Sequence, residues 1–372
     1  MRPAGTAELV VICQVMAHYR QGVHEALDAL PDWDVTFASD PDGSHYSLAT
    51  MPTTGLTRHV ALTNVYLGRL SWQRGVLRLA FTGDFDVFVF TGDASVVTTW
   101  IGSAIARLRG KRVAFWTIGW HRPDTPLKSH VRLAFYRLAD RLLLYGNRAK
   151  SLGTSAGYPA ERMTVIYNSV TGTRLPRDRA QTLPADEPLR LGAIARLNGQ
   201  KRFDLLVEAA RILMDRGRRV EVVLAGSGPD QDGLEERAAT LGVHLTLLGP
   251  VYDADAIRDF YSSLDVTVIP TFAGLTIIQS MAHGVPVVTD DDVDNQGPEW
   301  EAIRPETGGT YPQGDPVGLA DVIETVAMDR RASGDMREAC IHEIAERWTP
   351  ERQAGRISAA LHHDLASHRG TR

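Results

Sequence analysis

The sequence predicts a two-domain α/β protein in which each domain is a doubly wound, Rossmann-like parallel sheet. Short apolar runs alternate with helical patterns in both halves of the 372-residue chain, and strands that alternate with helices form parallel sheets. The alternation is interrupted at 172–188 by a segment with three prolines and no periodicity, which is typical of a linker.

The N-terminal half supplies the first predicted domain, at 1–172. Its predicted strands are 9–13, 87–90, 113–116 and 163–167, and its predicted helices are 22–30, 96–108 and 127–144. In these helices apolar residues recur at helix spacing.

The C-terminal half repeats the pattern and supplies a second domain, at 173–345. Its predicted strands are 189–195, 220–225, 244–248, 266–269 and 285–289, and its predicted helices are 203–216, 233–241, 254–264 and 275–283. We expect the tail at 346–372, with a helix at 350–365, to pack back toward the first domain. The carboxyl ends of both sheets would then face a central cleft.

Composition favours a soluble, cytoplasmic protein that does not bind nucleic acid. Hydrophobic residues make up 44% of the chain, the net charge is −5, and the cysteines Cys13 and Cys340 lack metal-ligand spacing. No apolar run reaches the roughly 20 residues that span a bilayer. Residues 121–170 contain eight Lys or Arg against three acids, which suits either peripheral contact with the inner face of a membrane or a solvated helix face.

The first candidate site follows the strand at 189–195. Arg196 comes directly after this strand, and Lys201 stands five residues later at the start of the next helix. Two cations beside a helix N-terminus suit a diphosphate, and both would stabilise the charge that develops on a leaving phosphate. We therefore predict that Arg196 and Lys201 are catalytic, the alternative being a surface pair that caps a loop.

Three further strand ends supply candidate donor-binding residues. Glycines let a backbone approach a nucleotide closely, the second strand end lies near the expected base, and a helix N-terminus offers amides to a phosphate. The residues are Gly226, Ser227 and Gly228, then Val251 and Tyr252, then Gly274, Leu275 and Thr276, with Gln279 one turn deeper.

Together these blocks resemble the retaining GT-B glycosyltransferases of family 4. The resemblance covers about residues 190–310 well and the N-terminal half only loosely. It implies the GT-B fold, a nucleoside-diphosphate sugar as donor, with UDP favoured by family frequency, and retention of the anomeric configuration. It also implies that Arg196 and Lys201 hold the donor diphosphate.

The sequence departs from the family pattern at three positions. Gln279 replaces the glutamate that holds the ribose hydroxyls, Thr271 replaces the first glutamate of the same motif, and Ile118 stands where many members have a histidine. Glu299 is a candidate for the missing carboxylate or else a solvated loop acid. The departures also keep a non-catalytic homologue open, which would bind a nucleotide sugar as a partner subunit.

The N-terminal half offers weaker candidates. His121, three residues after Ile118, is either a catalytic residue or a surface histidine. His18, Tyr19, Arg20 and Asp93 follow predicted strands and would line the acceptor side of the cleft, or else form plain turns. The acceptor stays open between a glycan, a lipid-linked glycan and a natural product.

Two acidic motifs and one alternative enzyme class are set aside. Asp84-Phe85-Asp86 has the D-x-D form of the other large glycosyltransferase fold, but it precedes its strand, and Asp290-Asp291-Asp292 is typical of a solvated loop. We expect no metal and no cofactor, because Arg196 and Lys201 can supply the countercharge. A nicotinamide-dependent oxidoreductase needs G-x-G-x-x-G, and the sixth position here is Gln231.

Overall fold

The computed structural model describes residues 6–46, 49–123, 125–170 and 187–369. The chain divides into two units, which we call the N-terminal domain (Met1–Thr171 with Thr349–Arg372) and the C-terminal domain (Gly172–Trp348). The predicted linker at 172–188 lies outside the described residues, apart from its last two positions.

The N-terminal domain is built on a parallel sheet. Its strands are β1 (Ala7–Val15), β2 (Trp33–Asp40), β3 (His59–Ala61), β4 (Thr63–Leu67), β5 (Leu70–Arg74), β6 (Val87–Thr91), β7 (Arg112–Thr117), β8 (Arg141–Leu144) and β9 (Met163–Val165). Seven of them form the sheet in the order β3-β2-β1-β6-β7-β8-β9, and β4 and β5 form a separate antiparallel hairpin. The helices are α1 (Gln21–Asp28), α2 (Val76–Thr82), α3 (Val97–Leu108), α4 (Pro126–Tyr136) and α5 (Asn147–Ser155).

The sheet of this domain is buried on both faces. Leu9 and Val11 of β1 pack in one apolar layer with residues of α1 and a C-terminal helix, whereas Val10 and Ile12 pack in a second layer with residues of α2 and α4. A strand that is covered on both sides needs apolar residues at every position. This explains why the first strand is a continuous apolar run rather than an alternating one.

The C-terminal domain contains a second parallel sheet. Its strands are β10 (Leu189–Ile194), β11 (Val220–Ala225), β12 (His244–Leu247), β13 (Val266–Val268), β14 (Val287–Asp290) and β15 (Gly308–Tyr311), in the order β12-β11-β10-β13-β14-β15. The helices that follow along the chain are α6 (Phe203–Asp215), α7 (Gln231–Leu241), α8 (Ala254–Ser262), α9 (Thr276–Ala282), α10 (Pro316–Ala332), α11 (Asp335–Arg347) and α12 (Pro350–Arg369). This is the strand order of a doubly wound dinucleotide-type domain. The predicted fold class of two Rossmann-like domains is confirmed.

One predicted element is wrong. The helix expected at 127–144 ends at Tyr136, and Arg141–Leu144 is the buried strand β8, which pairs with both β7 and β9. Burial on both faces again produces a continuous apolar run, and the basic residues around it imitate the pattern of a surface helix.

Helix α12 belongs to the N-terminal domain through specific polar contacts. Arg141 Nε donates to Asp364 at 2.7 Å, and Trp33 Nε1 donates to Ser358 Oγ at 2.8 Å. The buried Gln353 accepts from Ser169 Oγ at 2.7 Å. Arg141, one of the eight basic residues at 121–170, is therefore buried in an intramolecular ion pair and does not face solvent. Among the described residues, none of the helices is both long and apolar enough to cross a bilayer.

Candidate nucleotide-sugar site

The candidate site lies where the strand order of the C-terminal sheet reverses. The order changes between β10 and β13, and ligands of such sheets bind at the carboxyl ends of the strands at this point. Thr276 Oγ1, in the first turn of α9, donates to the carbonyl of Ile194 at the end of β10 at 3.2 Å. The start of α9 therefore lies against the loop that carries Arg196 and Lys201.

Lys201 joins the two loops of this crevice. Its ammonium group donates to the carbonyl oxygen of Phe272, and Nζ lies 5.2 Å from the centroid of the Phe272 ring. Beside it, the hydroxyl of Thr271 donates to the carbonyl oxygen of Gln200. Burial lowers the pKa of Lys201 to about 8. The ammonium group thus lacks part of its hydration, and nothing in the described part of the chain pairs it with a carboxylate.

The loop at 271–274 has a strained backbone that a buried amide supports. Phe272 has φ +50°, a conformation that costs a non-glycine residue about 1–3 kcal/mol. The next amide, Ala273 N, donates to Gln296 Oε1 at 3.0 Å, and Gln296 Nε2 donates to Asp290 Oδ1 at 2.7 Å. Gln296 is not among the residues that the sequence predicts, because an amide that bonds a loop 23 residues away leaves no spacing signal.

Arg196 lies at the exposed rim of the crevice, and its guanidinium forms no ion pair within the described residues. The glycine turn packs directly on the backbone that flanks it. A methyl group on Gly226 would lie 1.9 Å from the carbonyl oxygen of Ala195, and one on Gly228 would lie 1.9 Å from that of Leu197. These glycines therefore admit the protein's own backbone, and the close approach of a nucleotide stays a prediction from the sequence pattern.

The same turn is tied to the Arg196 loop by hydrogen bonds. Leu197 N donates to the carbonyl of Ser227 at 3.0 Å, and Ser227 itself is exposed. Gly226 N donates to the carbonyl of Gly249 at 2.8 Å, so the exits of β11 and β12 are adjacent. After this second exit Val251 is half-buried and Tyr252 is 85% exposed. An exposed aromatic ring at a strand exit suits stacking on a base.

Gln279 and Glu299 occupy different depths of the crevice. Gln279 Oε1 accepts from the hydroxyl of the buried Tyr261 at 3.1 Å, and its NH2 group has no hydrogen-bond acceptor among the described residues. Glu299 is only 3% exposed, so the interpretation as a solvated loop acid is wrong. A methyl group on Gly297 would lie 2.5 Å from Glu299 Oε2 and 3.5 Å from Gly274 Cα. The Glu299 carboxylate and Gly274 therefore both lie close to Gly297.

The acidic motifs have structural partners. Asp86 Oδ2 accepts from Glu8 N at 3.0 Å and Asp84 lies 3.4 Å from Lys111 Nζ, at the amino end of β6. Asp290 is buried rather than solvated, and burial raises the pKa of its carboxyl group. Within the described ranges, the His, Cys, Asp and Glu side chains form no group of three or more that could hold a metal ion.

The N-terminal domain has its own pocket, of about 400 Å³, at the carboxyl ends of β6 and β7. Three cations and one carboxylate line it together with aromatic rings. The charged residues are Arg20, Asp93, Lys128 and Arg132. The Arg20 guanidinium carbon lies 5.2 Å from the centroid of the Tyr145 ring and 5.9 Å from that of Trp116. The Nε of Arg20 is buried without a hydrogen-bond partner among the described residues. Such a lining suits an anionic group attached to a ring.

Of the five N-terminal candidates, Arg20 and Asp93 line this pocket, whereas His18, Tyr19 and His121 do not. The chain turns at Gly119, with φ +75°, and Trp120 is then buried against Tyr136 at 4.9 Å between ring centroids. His121 follows the buried Trp120 and does not line the pocket. Ile118, at the position of the family histidine, does line the pocket.

The part of the chain that contains this crevice matches a known family of glycosyltransferases. Residues 188–329 match the family model of glycosyl transferases group 1, and these residues include the whole crevice. The predicted resemblance is confirmed at this level, while family 4 and the retaining mechanism stay predictions.

The chain is similar in sequence to curated glycosyltransferases over part of its length. It is 29% identical over 170 residues to a GDP-mannose-dependent alpha-(1-6)-phosphatidylinositol dimannoside mannosyltransferase of Mycobacterium tuberculosis, which covers 45% of this chain and 42% of that protein. It is 28% identical over 145 residues to the putative glycosyltransferase EpsF of Bacillus subtilis, over 36% of this chain and 37% of that protein. The chain thus spans less than half the length of each of these relatives.

Solved structures share the fold over nearly the whole chain. HepE of Anabaena in complex with UDP superposes with a TM-score of 0.70 at 17% identity, covering 96% of this chain and 100% of that one. The lipopolysaccharide outer core galactosyltransferase WaaB gives a TM-score of 0.70 at 15% identity, covering 96% and 99%. The fold is GT-B.

The glycine turn yields a stability prediction. Gly228→Ala should lower the free energy of unfolding of the C-terminal domain by about 2 kcal/mol or more, because the new methyl group would overlap the Leu197 carbonyl. The matched control is Gly233→Ala in α7, where a methyl group meets no atom within 4 Å and alanine favours the helix. Urea unfolding measures both variants. Equal stabilities would contradict the close packing of this turn on the Arg196 loop.

Proposed function

We propose that this protein is a glycosyltransferase that moves a sugar from a nucleoside-diphosphate donor to a hydroxyl acceptor. The observation that carries the proposal is the crevice between β10 and β13, where a partly desolvated ammonium, an exposed guanidinium and the first turn of α9 lie on adjoining loops within the group 1 region. UDP and GDP are the two bases to test first, because HepE was solved with UDP and the mycobacterial relative is named as GDP-mannose-dependent.

In the proposed mechanism the diphosphate lies between Arg196, Lys201 and the amides of 274–276. Both cations stabilise the negative charge that grows on the leaving phosphate as the sugar–oxygen bond breaks. The acceptor hydroxyl attacks the face from which the phosphate leaves, and a phosphate oxygen takes its proton. This route gives retention without a pair of protein carboxylates. In this scheme the countercharge comes from the two cations, and no metal is required.

A bound diphosphate should stabilise the ammonium form of Lys201. Burial in the crevice destabilises the ammonium form of Lys201. A diphosphate within a few ångströms restores a counter-charge in a low-dielectric site, where the interaction is stronger than in water. The affinity therefore depends on the proton of Lys201.

The acceptor side is proposed to be the N-terminal pocket. Arg20, Lys128 and Arg132 outnumber its single carboxylate, Asp93, so an acceptor that carries a phosphate or another anion near its hydroxyl fits better than a neutral one. This favours a phosphorylated or lipid-linked acceptor over a neutral natural product. A cytoplasmic location, at or near the inner face of a membrane, accords with such an acceptor.

The alternative function is a non-catalytic partner subunit that binds a nucleotide sugar. Thr271 and Gln279, in place of family glutamates, favour it, because each removes a carboxylate. A thermal-shift panel of UDP-, GDP-, dTDP- and ADP-sugars identifies the ligand in both cases. Release of nucleoside diphosphate during incubation with that sugar and a phosphorylated acceptor then distinguishes the enzyme from the binding subunit.

Removing either cation should weaken donor binding and slow transfer. We expect Arg196→Ala and Lys201→Ala each to lower the transfer rate about 100-fold or more, because less leaving-group charge is stabilised. Arg219→Ala is the matched control, since Arg219 is exposed and directly precedes β11 at the amino end of the sheet. Calorimetric titration with the preferred nucleoside diphosphate and a release assay provide the readouts. A double Arg196→Ala, Lys201→Ala variant with the wild-type rate would refute the mechanism.

Nucleotide binding should depend on pH through Lys201. Its pKa of about 8 means that the ammonium form predominates at pH 7 and the neutral amine at pH 9. Affinity for the nucleoside diphosphate should therefore fall about tenfold between these values. Lys201→Arg should abolish this dependence, because a guanidinium stays charged throughout the range. Titrations at pH 7, 8 and 9 check both profiles, and identical slopes would contradict the assignment to Lys201.

A further inference from the structure

The β4–β5 hairpin of the N-terminal domain presents an apolar face to solvent. Val65 pairs with Trp72 and Leu67 pairs with Leu70 across the antiparallel ladder, and paired residues of such a ladder share one face. All four side chains are exposed, and Leu67 at the turn is 80% exposed. The four residues form a continuous apolar strip, which we call the hairpin face.

The opposite face of the same hairpin is polar and turned inward. Gln73 Nε2 donates to the carbonyl of Cys13 at 2.7 Å, and Asn64 Nδ2 donates to the carbonyl of Gln14 at 2.8 Å. Ser71 Oγ accepts from Gln14 Nε2 at 3.0 Å. A hairpin on a protein surface ordinarily buries its apolar side and exposes its polar side. Here the arrangement is reversed.

The reversal is fixed by the structure and does not result from a loose register. A shift of one residue would exchange the two faces, but Asn64, Ser71 and Gln73 all bond at or beside the end of β1, and Ser71 N also donates to the carbonyl of Ser95 at 2.9 Å. These bonds hold the hairpin at the carboxyl edge of the sheet, where the pocket with Asp93 and Ala94 also opens. The hairpin face is therefore held outward next to the proposed acceptor pocket.

The charged residues of the hairpin itself and of the helix that follows it have one sign. Residues 59–82 contain Arg69, Arg74 and Arg78 and neither Asp nor Glu, and all three arginines are exposed. Arg69 lies in the turn beside Leu67, and Phe81 of α2 is also exposed. Leucine and tryptophan that protrude between arginines complement a bilayer with anionic headgroups, where acyl chains receive the leucines and the interface receives the tryptophan.

We propose that the hairpin face docks the N-terminal domain onto an anionic membrane, with Leu67 and Leu70 inserted below the headgroups. This is a different surface from the basic stretch at 121–170, in which Arg141 is buried in its ion pair with Asp364. Docking here would bring the acceptor pocket close to the membrane surface. Membrane docking through the hairpin face does not depend on sugar transfer and can be measured separately.

The test is binding of the full chain to lipid vesicles. Wild-type protein should float with vesicles of phosphatidylglycerol and phosphatidylcholine but not with phosphatidylcholine alone. Leu67→Ser with Leu70→Ser should reduce the bound fraction at least about tenfold, because two inserted apolar side chains are lost. The control is Leu108→Ser, at an exposed leucine that ends α3. Nucleotide binding to the C-terminal domain should be unchanged in all of these variants.

Two further pairs of substitutions test whether the arginines contribute to lipid preference and whether other exposed apolar residues contribute to binding. Arg69→Gln with Arg74→Gln should reduce the preference for anionic vesicles, and Leu127→Ser with Val131→Ser in α4, where both residues are exposed, should leave binding intact. The proposal is overturned if wild type ignores anionic vesicles, or if the double leucine variant binds them as wild type does. It is also overturned if light scattering shows a wild-type dimer that the double leucine variant dissociates, since the hairpin face would then join two copies of the chain.

Discussion

The contact between the loop after β10 and the loop after β13 is the constraint on which the proposed donor site depends. Lys201 gives up part of its hydration to bond the Phe272 carbonyl, and Thr271 bonds the Gln200 carbonyl beside it. One backbone carbonyl is a poor replacement for the water that surrounds an exposed ammonium group, and burial therefore lowers the pKa of Lys201. The crevice therefore contains a partly desolvated cation that an anion would stabilise.

Around this contact the protein uses close backbone packing. Gly226 and Gly228 leave no room for a side chain against the Arg196 loop, and the positive φ of Phe272 is held by the hydrogen bond from Ala273 N to Gln296. Strained conformations persist where the surroundings determine them strongly. The backbone positions from which Arg196 and Lys201 extend are therefore fixed by close packing.

The sequence predicts the alternation of strands and helices well because both sheets are parallel and buried. It fails at β8, where Arg141–Leu144 looks like the end of a surface helix. Arg196 and Lys201 can be proposed from the sequence, because a cation directly after a strand and a cation at the start of a helix suit a phosphate. Gln296, Tyr261 and the strain at Phe272 are not visible, because they act through contacts between segments far apart in the chain. The hairpin face is hidden for a related reason: alternation shows that two faces differ, but only the tertiary bonds of Asn64 and Gln73 show which face points inward.

The substitutions at 271 and 279 have a common electrostatic effect. Each places a neutral group where the related glycosyltransferases have a carboxylate, yet each keeps a structural bond, Thr271 to the Gln200 carbonyl and Gln279 to the Tyr261 hydroxyl. Removing two negative charges from a crevice that retains Arg196 and Lys201 makes its potential more positive and reduces repulsion of a diphosphate. Glu299 then remains as a carboxylate that, like Gly274, lies close to Gly297. The departures therefore favour the proposed binding of an anionic leaving group in this crevice.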